Sequence, residues 1–198
     1  YTVSEEPVEG YEATIEGTNI TNSRTPEVVE IPVTKVWKDN DNQDGVRPDK
    51  VTVRLLADGQ EVASQELSAA TDWKTVFTNL PKYNHGKQIV YTVTEDTVAN
   101  YSAAIDGTTI TNSYKPGKTS VTVTKRWEDN NDQDGKRPST IKVQLYADGK
   151  AQGKEVELSA KNNWTHTFSN LPLKAKGKEI QYLVKEVGTV KGYTSTVD

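Results

Sequence analysis

Seven residues of this chain are of types that can react with one another without a metal or cofactor: Lys35 and Lys125, Glu5, Glu95 and Glu186, Asn22 and Asn112. Three of them sit on the apolar sides of alternating runs. Ile31, Val33, Lys35 and Trp37 fall on one face of an extended strand, Tyr91, Val93 and Glu95 on another, and Thr108, Ile110 and Asn112 on a third. A buried amine has its charged form disfavoured, so its pKa falls from ~10.4, whereas a buried carboxyl holds its proton. A neutral carboxylic acid donates a hydrogen bond to the amide oxygen of Asn and polarises its carbon. The neutral amine then attacks, Glu relays protons and ammonia leaves. The product is a Lys–Asn isopeptide bond, formed once per domain and without a cofactor.

Taken singly, each polar residue also fits a strand end that turns to solvent, with Lys extending past Trp. The joint occurrence of the three motifs favours the reaction, because neighbouring first and last strands would gather them in one apolar pocket. By the same alternation Lys125 falls with Val121, Val123 and Trp127, and Glu186 with Ile180, Tyr182 and Val184.

Strands must position these groups. Ile89, Tyr91 and Val93 alternate with Val90, Thr92 and Thr94, and Ile141, Val143 and Leu145 with Lys142, Gln144 and Tyr146. Asp-Gly or His-Gly pairs at 44–45, 58–59, 85–86, 106–107, 134–135 and 148–149 punctuate the runs as turns. No stretch carries a helical apolar stripe, so the reading is all-β. Hydrophobic residues make up only 33%, yet their alternation argues against disorder. With no Cys, disulfides, thiolate sites and cysteine nucleophiles are excluded together. Two His and a formal charge of −4 argue against His-rich metal sites and against nucleic acid as a partner. No apolar run reaches the length of a membrane span. The chain opens at Tyr1 with no signal-like segment, which reads as a fragment whose targeting signal lies elsewhere.

The chain repeats itself. Lys35, Trp37, Gly45, Arg47, Pro48, Asp58 and Gly59 recur about 90 positions later as Lys125, Trp127, Gly135, Arg137, Pro138, Asp148 and Gly149. A single insertion then shifts the match, so that Trp73 pairs with Trp164, Tyr91 with Tyr182 and Glu95 with Glu186. Tyr1, Glu5, Tyr11, Ile20 and Asn22 match Tyr91, Glu95, Tyr101, Ile110 and Asn112. Repeats of this length hold a seven-strand sandwich. The expected organisation is the C-terminal piece of one repeat at 1–24, a complete domain at 27–115, and a domain lacking its last strand at 118–198. Ser23–Glu30 and Ser113–Ser120 read as short linkers.

Val-Thr-Lys-Val-Trp-Lys-Asp (33–39), Asn-Gln-Asp-Gly-Val-Arg-Pro (42–48), Tyr-Thr-Val-Thr-Glu-Asp (91–96) and Thr-Ile-Thr-Asn (109–112) resemble the B-type repeats of collagen adhesins and related pilin domains of Gram-positive surfaces. Lys-Arg-Trp-Glu-Asp (125–129), Asn-Trp-Thr-His-Thr-Phe (163–168) and Lys-Ala-Lys-Gly (174–177) extend the resemblance. It covers essentially the whole chain. It implies tandem inverse immunoglobulin-like (Cna B-type) β-sandwiches on an extracellular, cell-wall-anchored surface protein, each with an intramolecular Lys–Asn bond and an assisting Glu. Carried over by position, the bond joins Lys35 to Asn112 with Glu95 assisting. The last repeat offers only Lys125 and Glu186, and the first segment only Glu5 and Asn22.

Other signals are weaker. Asn40-x-Asn42-x-Asp44-Gly45 and Asn130-x-Asp132-x-Asp134-Gly135 imitate a calcium loop, but Val51 and Ile141 occupy the twelfth position, where a Glu is needed. They read as Asp-Gly loops with no metal. His166 shares a face with Trp164 and Phe168 and reads as packed, His85 as a solvated turn residue, and the four Trp as core rather than a sugar platform. Two functions remain: a stalk that projects a ligand-binding region, or a module that itself binds a host matrix protein. Short polar loops favour the stalk, with neighbouring repeats as partners and any host protein bound elsewhere; nothing suggests turnover of an external substrate. Residues 17–22, Gly-Thr-Asn-Ile-Thr-Asn, supply the sequence the last repeat lacks. They point to head-to-tail self-association that sets Asn22 beside Lys125 and Glu186; a longer parent chain carrying both missing pieces is the alternative.

Overall fold

The computed structural model describes residues 1–197; the expected end of the last repeat at Asp198 lies outside them. By packing, the chain divides into Tyr1–Trp37 with Pro48–Ser113, and Lys38–Arg47 with the residues from Tyr114 onward.

The first unit opens with a hairpin of β1 (Glu12–Glu16) and β2 (Asn19–Ser23), all of whose residues are exposed. Then follow β3 (Val28–Lys38), β4 (Lys50–Ala57), β5 (Gln60–Ser68), β6 (Lys74–Pro81), β7 (Tyr83–Asn84), β8 (Lys87–Gln88), β9 (Tyr91–Glu95), β10 (Ser102–Asp106) and β11 (Thr109–Ser113). They form a four-stranded sheet ordered β10-β11-β3-β6, a three-stranded sheet ordered β5-β4-β9, and the small hairpin β7-β8. Every second residue of the two larger sheets points into the space between them. Val33, Phe77 and Ile110 from one meet Val51, Val53, Leu55, Leu67 and Val93 from the other, all buried.

The second unit repeats the plan with β12 (Lys118–Thr124), β13 (Thr140–Ala147), β14 (Lys150–Ser159), β15 (Thr165–Pro172), β16 (Lys174–Ala175), β17 (Lys178–Glu179) and β18 (Tyr182–Glu186). Its sheets are β12-β15, β14-β13-β18 and the hairpin β16-β17. Ile141, Val143 and Leu158 centre its core, with Val123, Trp127, Trp164, Phe168 and Val184 packed around them. His166 stacks edge-on against Phe168 at 4.6 Å, a packed residue as expected.

Turn chemistry explains the hairpins. Asp58-Gly59 and Asp148-Gly149 have φ of 48° and 85°, and 47° and 77°, the paired positive values that a two-residue turn matched to strand twist requires. Strands start inside both expected linkers, at Val28 and Lys118, because backbone pairing with β6 and β15 begins there. The strand expected from Ile89 starts only at Tyr91, where pairing with β4 begins.

The calcium-like loops are closed by an ion pair. Asn130, Asn131 and Asp132 all have positive φ, a conformation that Asn and Asp tolerate better than other side chains. Within the turn, the Asp129 carboxylate accepts from Arg137 Nε (2.9 Å) and Nη2, from the Asp132 N–H (3.0 Å) and from the Tyr193 hydroxyl (2.8 Å). In the matching loop Asp39 binds Arg47 through Nε (2.9 Å) and Nη2 (2.6 Å) and accepts the Asn42 N–H (3.0 Å). That loop, Lys38–Arg47, groups with the second unit because Asp44 accepts from the Tyr114 hydroxyl and the Gly117 N–H, both at 2.9 Å.

Arg137 and the other donors hold the Asp129 carboxyl well below the usual carboxylate range. The folded state thus binds the proton more weakly than the unfolded chain. The stabilisation is complete above the ordinary value of about 4 and is lost as pH falls below it. Replacing Asp129 by Asn is expected to lower the melting temperature of the second unit at neutral pH, with the difference from the parent closing in acid. Thermal melts across that range check this; a difference independent of pH contradicts it.

Candidate functional site

Lys35 is carried by β3, Glu95 by β9 and Asn112 by β11, so both sheets of the first unit contribute. β3 and β11 are neighbours in one sheet, and the Thr34 N–H donates to the Thr108 carbonyl at 3.1 Å. Glu95 ends β9, opposite Val53 of β4. The sandwich therefore brings together residues 60 and 17 positions apart in sequence.

Lys35 Nζ lies 2.8 Å from Glu95 Oε1 and 3.1 Å from Oε2, and the second approach has hydrogen-bond geometry. Asn112 Nδ2 donates to Glu95 Oε2 at 2.8 Å. The Lys35 and Glu95 side chains are 0% and 2% exposed. Burial pulls the Lys35 amine below its usual pKa, while Glu95 opposes that shift by hydrogen bonding and by charge. Nζ also stands 4.6 Å from the centre of the Trp37 ring, whose face attracts a cation. Trp37 packs edge-on against Trp73 at 5.1 Å and Tyr101 at 5.0 Å, so aromatic rings wall the amine.

One detail departs from the sequence reading. Asn112 turns its amide nitrogen to Glu95, not its oxygen, and the buried Oδ1 has no hydrogen-bond partner among the described residues. A carboxylate beside an ammonium has no proton to donate, so the NH2 group is its natural partner. Once a proton passes from Lys35 to Glu95, a half-turn of the amide satisfies both Oδ1 and the carboxylic acid.

The related sites are incomplete. Lys125 Nζ lies 3.0 Å from Glu186 Oε2 and 4.7 Å from the Trp127 ring centre, but these two side chains are 17% and 15% exposed. In the first segment Asn22 Nδ2 donates to Glu5 Oε1 at 3.0 Å, in the open. The structure thus gathers Lys35, Glu95 and Asn112 at one point, Lys125 with Glu186 at a second, and Glu5 with Asn22 at a third.

Sequence reasoning missed two supports. The Lys35 N–H donates to the Trp73 carbonyl and the Lys125 N–H to the Trp164 carbonyl, both at 2.8 Å. Trp73 and Trp164 have positive φ of 56° and 57°, each after Asp72 or Asn163 in the same conformation; that Asx-Trp pair was the available signal. The second support is Tyr193, which packs on Trp127 at 5.0 Å as Tyr101 packs on Trp37. Its spacing reveals a second one-residue insertion, between Glu186 and Tyr193, where the sequence comparison counted only one.

Removing one member of a buried ion pair costs about 3–5 kcal/mol, because the other charge is stranded. In an Asn112→Ala background, Glu95→Gln is expected to destabilise the first unit by about that amount, and adding Lys35→Met to restore most of it. Without Glu95 the folded state binds the Lys35 proton less well than the unfolded chain, so this variant gains stability as pH rises toward ~10.4. Urea unfolding across pH checks both statements; a pH-independent loss contradicts the second.

Comparison with known proteins agrees with this picture. A family model described as the Cna protein B-type domain matches residues 1–23, 31–113 and 121–198. The collagen adhesin of Staphylococcus aureus is 54% identical over 204 residues, covering 100% of this chain but only 17% of the adhesin. The crystal structure of two B repeat units of the collagen binding protein of Staphylococcus aureus aligns with a TM-score of 0.54 at 53% identity, over 98% of this chain and 53% of that one. A single B repeat unit of the same protein is 57% identical, with a TM-score of 0.44 over 87% of this chain and 92% of its own.

Proposed function

The chain belongs to the family of Cna protein B-type domains, which are immunoglobulin-like β-sandwiches, and from that premise we propose that it forms stalk repeats of a cell-wall-anchored surface adhesin. The repeats are divided as 1–24, 27–115 and 118–198. They project a ligand-binding region from the cell, and the complete repeat is locked by a Lys35–Asn112 bond. The convergence of Lys35, Glu95 and Asn112 in a closed pocket carries the reading.

The chemistry balances without a cofactor. Lys35 passes one proton to Glu95, and its free amine adds to Asn112 Cγ. The Nζ–Cγ bond forms, the Cγ–Nδ2 bond breaks, and nitrogen departs as ammonia with protons moved through Glu95. The reaction happens once, so the domain is not an enzyme in the ordinary sense. Lys125 and Glu186 would serve the same roles toward a carboxamide delivered to them.

The link suits a stalk. It closes 112 − 35 = 77 residues, for which the chain-entropy treatment of a crosslink gives about 4.5 kcal/mol. It also joins the first strand of the repeat to the last, so tension bypasses the core. Intact mass is expected to fall short of the sequence mass by one ammonia for this bond. The shortfall disappears in Glu95→Ala, and Lys35→Ala melts well below the parent. A Glu95→Ala mass still short at this site shows that the carboxyl is dispensable, and an unchanged melting temperature in Lys35→Ala removes the mechanical argument.

The rival reading makes the repeats adhesive themselves. Turns of two residues, such as Asp58-Gly59 and Asp148-Gly149, leave little loop surface for a partner. Surface plasmon resonance against collagen, fibronectin and fibrinogen is expected to show no saturable binding; submicromolar binding to any of them overturns the pure-stalk view.

A further inference from the structure

The second unit and the first segment hold complementary halves of the Lys35 constellation. β3 runs for 11 residues to Lys38, whereas β12 stops after 7, at Thr124. The extra length of β3 includes Lys35 and Trp37, beside β11. Among the described residues β12 has β15 as its only strand partner, and the strand expected to continue to Trp127 lapses where a second one would support it. Lys125 and Glu186 are left partly open, and the buried Glu186 Oε1 has no hydrogen-bond partner among the described residues.

The missing partner has a counterpart in the chain. β1 and β2 pair Glu12↔Ser23 through Glu16↔Asn19, the register in which β10 and β11 pair Ser102↔Ser113 through Asp106↔Thr109. Ile20 stands where Ile110 stands, and Asn22 where Asn112 stands. Yet Ile20 is 37% exposed, against 0% for Ile110.

We propose that the β1–β2 hairpin of one copy adds to the open edge of β12 in a second copy of this chain and becomes covalently joined there. The inference rests on the Lys–Asn reading of the Lys35 site. The Thr124 N–H of the accepting copy donates to the Thr18 carbonyl of the donor, as Thr34 does to Thr108. Ile20 enters the apolar face near Val123 and Trp127, and Asn22 exchanges Glu5 for Glu186. Lys125 gives a proton to Glu186 and its amine adds to Asn22 Cγ. The Nζ–Cγ bond forms, the Cγ–Nδ2 bond breaks and ammonia leaves, with no other reactant. The contact is heterologous, so each copy keeps one unused hairpin or edge and the product is an open head-to-tail chain.

The purified 198-residue chain, incubated at rising concentration, is read by denaturing electrophoresis and intact mass. A ladder is expected, each junction costing one ammonia beyond those lost by its monomers. It persists in Asn112→Ala and is absent from Asn22→Ala and from Lys125→Ala. Mixing those last two variants restores a dimer and nothing longer, because one supplies only a hairpin and the other only an edge. A parent that stays monomeric and lacks one ammonia overturns the inter-copy bond while leaving the Lys35–Asn112 reading intact. A parent that loses no ammonia overturns both. A monomer short of two ammonia joins Asn22 to its own chain's Lys125 and overturns the second copy, as does a ladder that survives Asn22→Ala.

Discussion

Taking an ammonium, a carboxylate and a carboxamide out of water at one point between two sheets is the constraint on which the first unit depends. Each group alone would be costly there, and unpaired charge most of all. The cost is bearable because Lys35 and Glu95 meet within 3.1 Å, Asn112 donates to the same carboxylate, and the Trp37 ring faces the amine. That arrangement needs three strands from two sheets in register, and the apolar packing of Val33, Val93 and Ile110 keeps them there. The polar cluster and the apolar core thus require one another.

The same requirement explains why near-identical residues behave differently in the two units. Lys125, Glu186 and Trp127 reproduce the contacts of Lys35, Glu95 and Trp37 almost distance for distance. What differs is closure. In the first unit β11 covers the edge of β3 and delivers Asn112, and the ion pair is nearly inaccessible; beside β12 no such strand lies among the described residues, and the ion pair stays partly wet. Solvent weakens the push on an amine toward its neutral form, so the last strand supplies the dry environment as well as the electrophile. Under the proposed stalk role, completing the sheet and locking it are one event.

Much of this was legible in the residues. The two-residue period of Ile31, Val33, Lys35 and Trp37 placed Lys35 inward, and the companion patterns did the same for Glu95 and Asn112. Asp-Gly pairs marked the hairpin turns, and the repeat revealed which residues recur together. Other features were not legible. Trp73 reaches the Lys35 N–H only because the backbone adopts two successive left-handed residues, which a periodicity argument does not register. Asp39 and Asp129 looked like parts of an ion loop, whereas Arg47 and Arg137 claim their carboxylates from 8 residues away.

The sequence by itself determined the strand class, the inward faces, the turn positions and which side chains were chemically able to react. These are local properties: alternation and turn preference act over a few residues and leave a direct trace in residue order. Only the tertiary structure decided which of the equivalent Lys, Glu and Asn residues share a pocket, how dry each pocket is and which way the Asn112 amide turns. Those outcomes depend on strands distant in sequence lying side by side, and on water excluded by the complete sheet, so no local pattern can encode them.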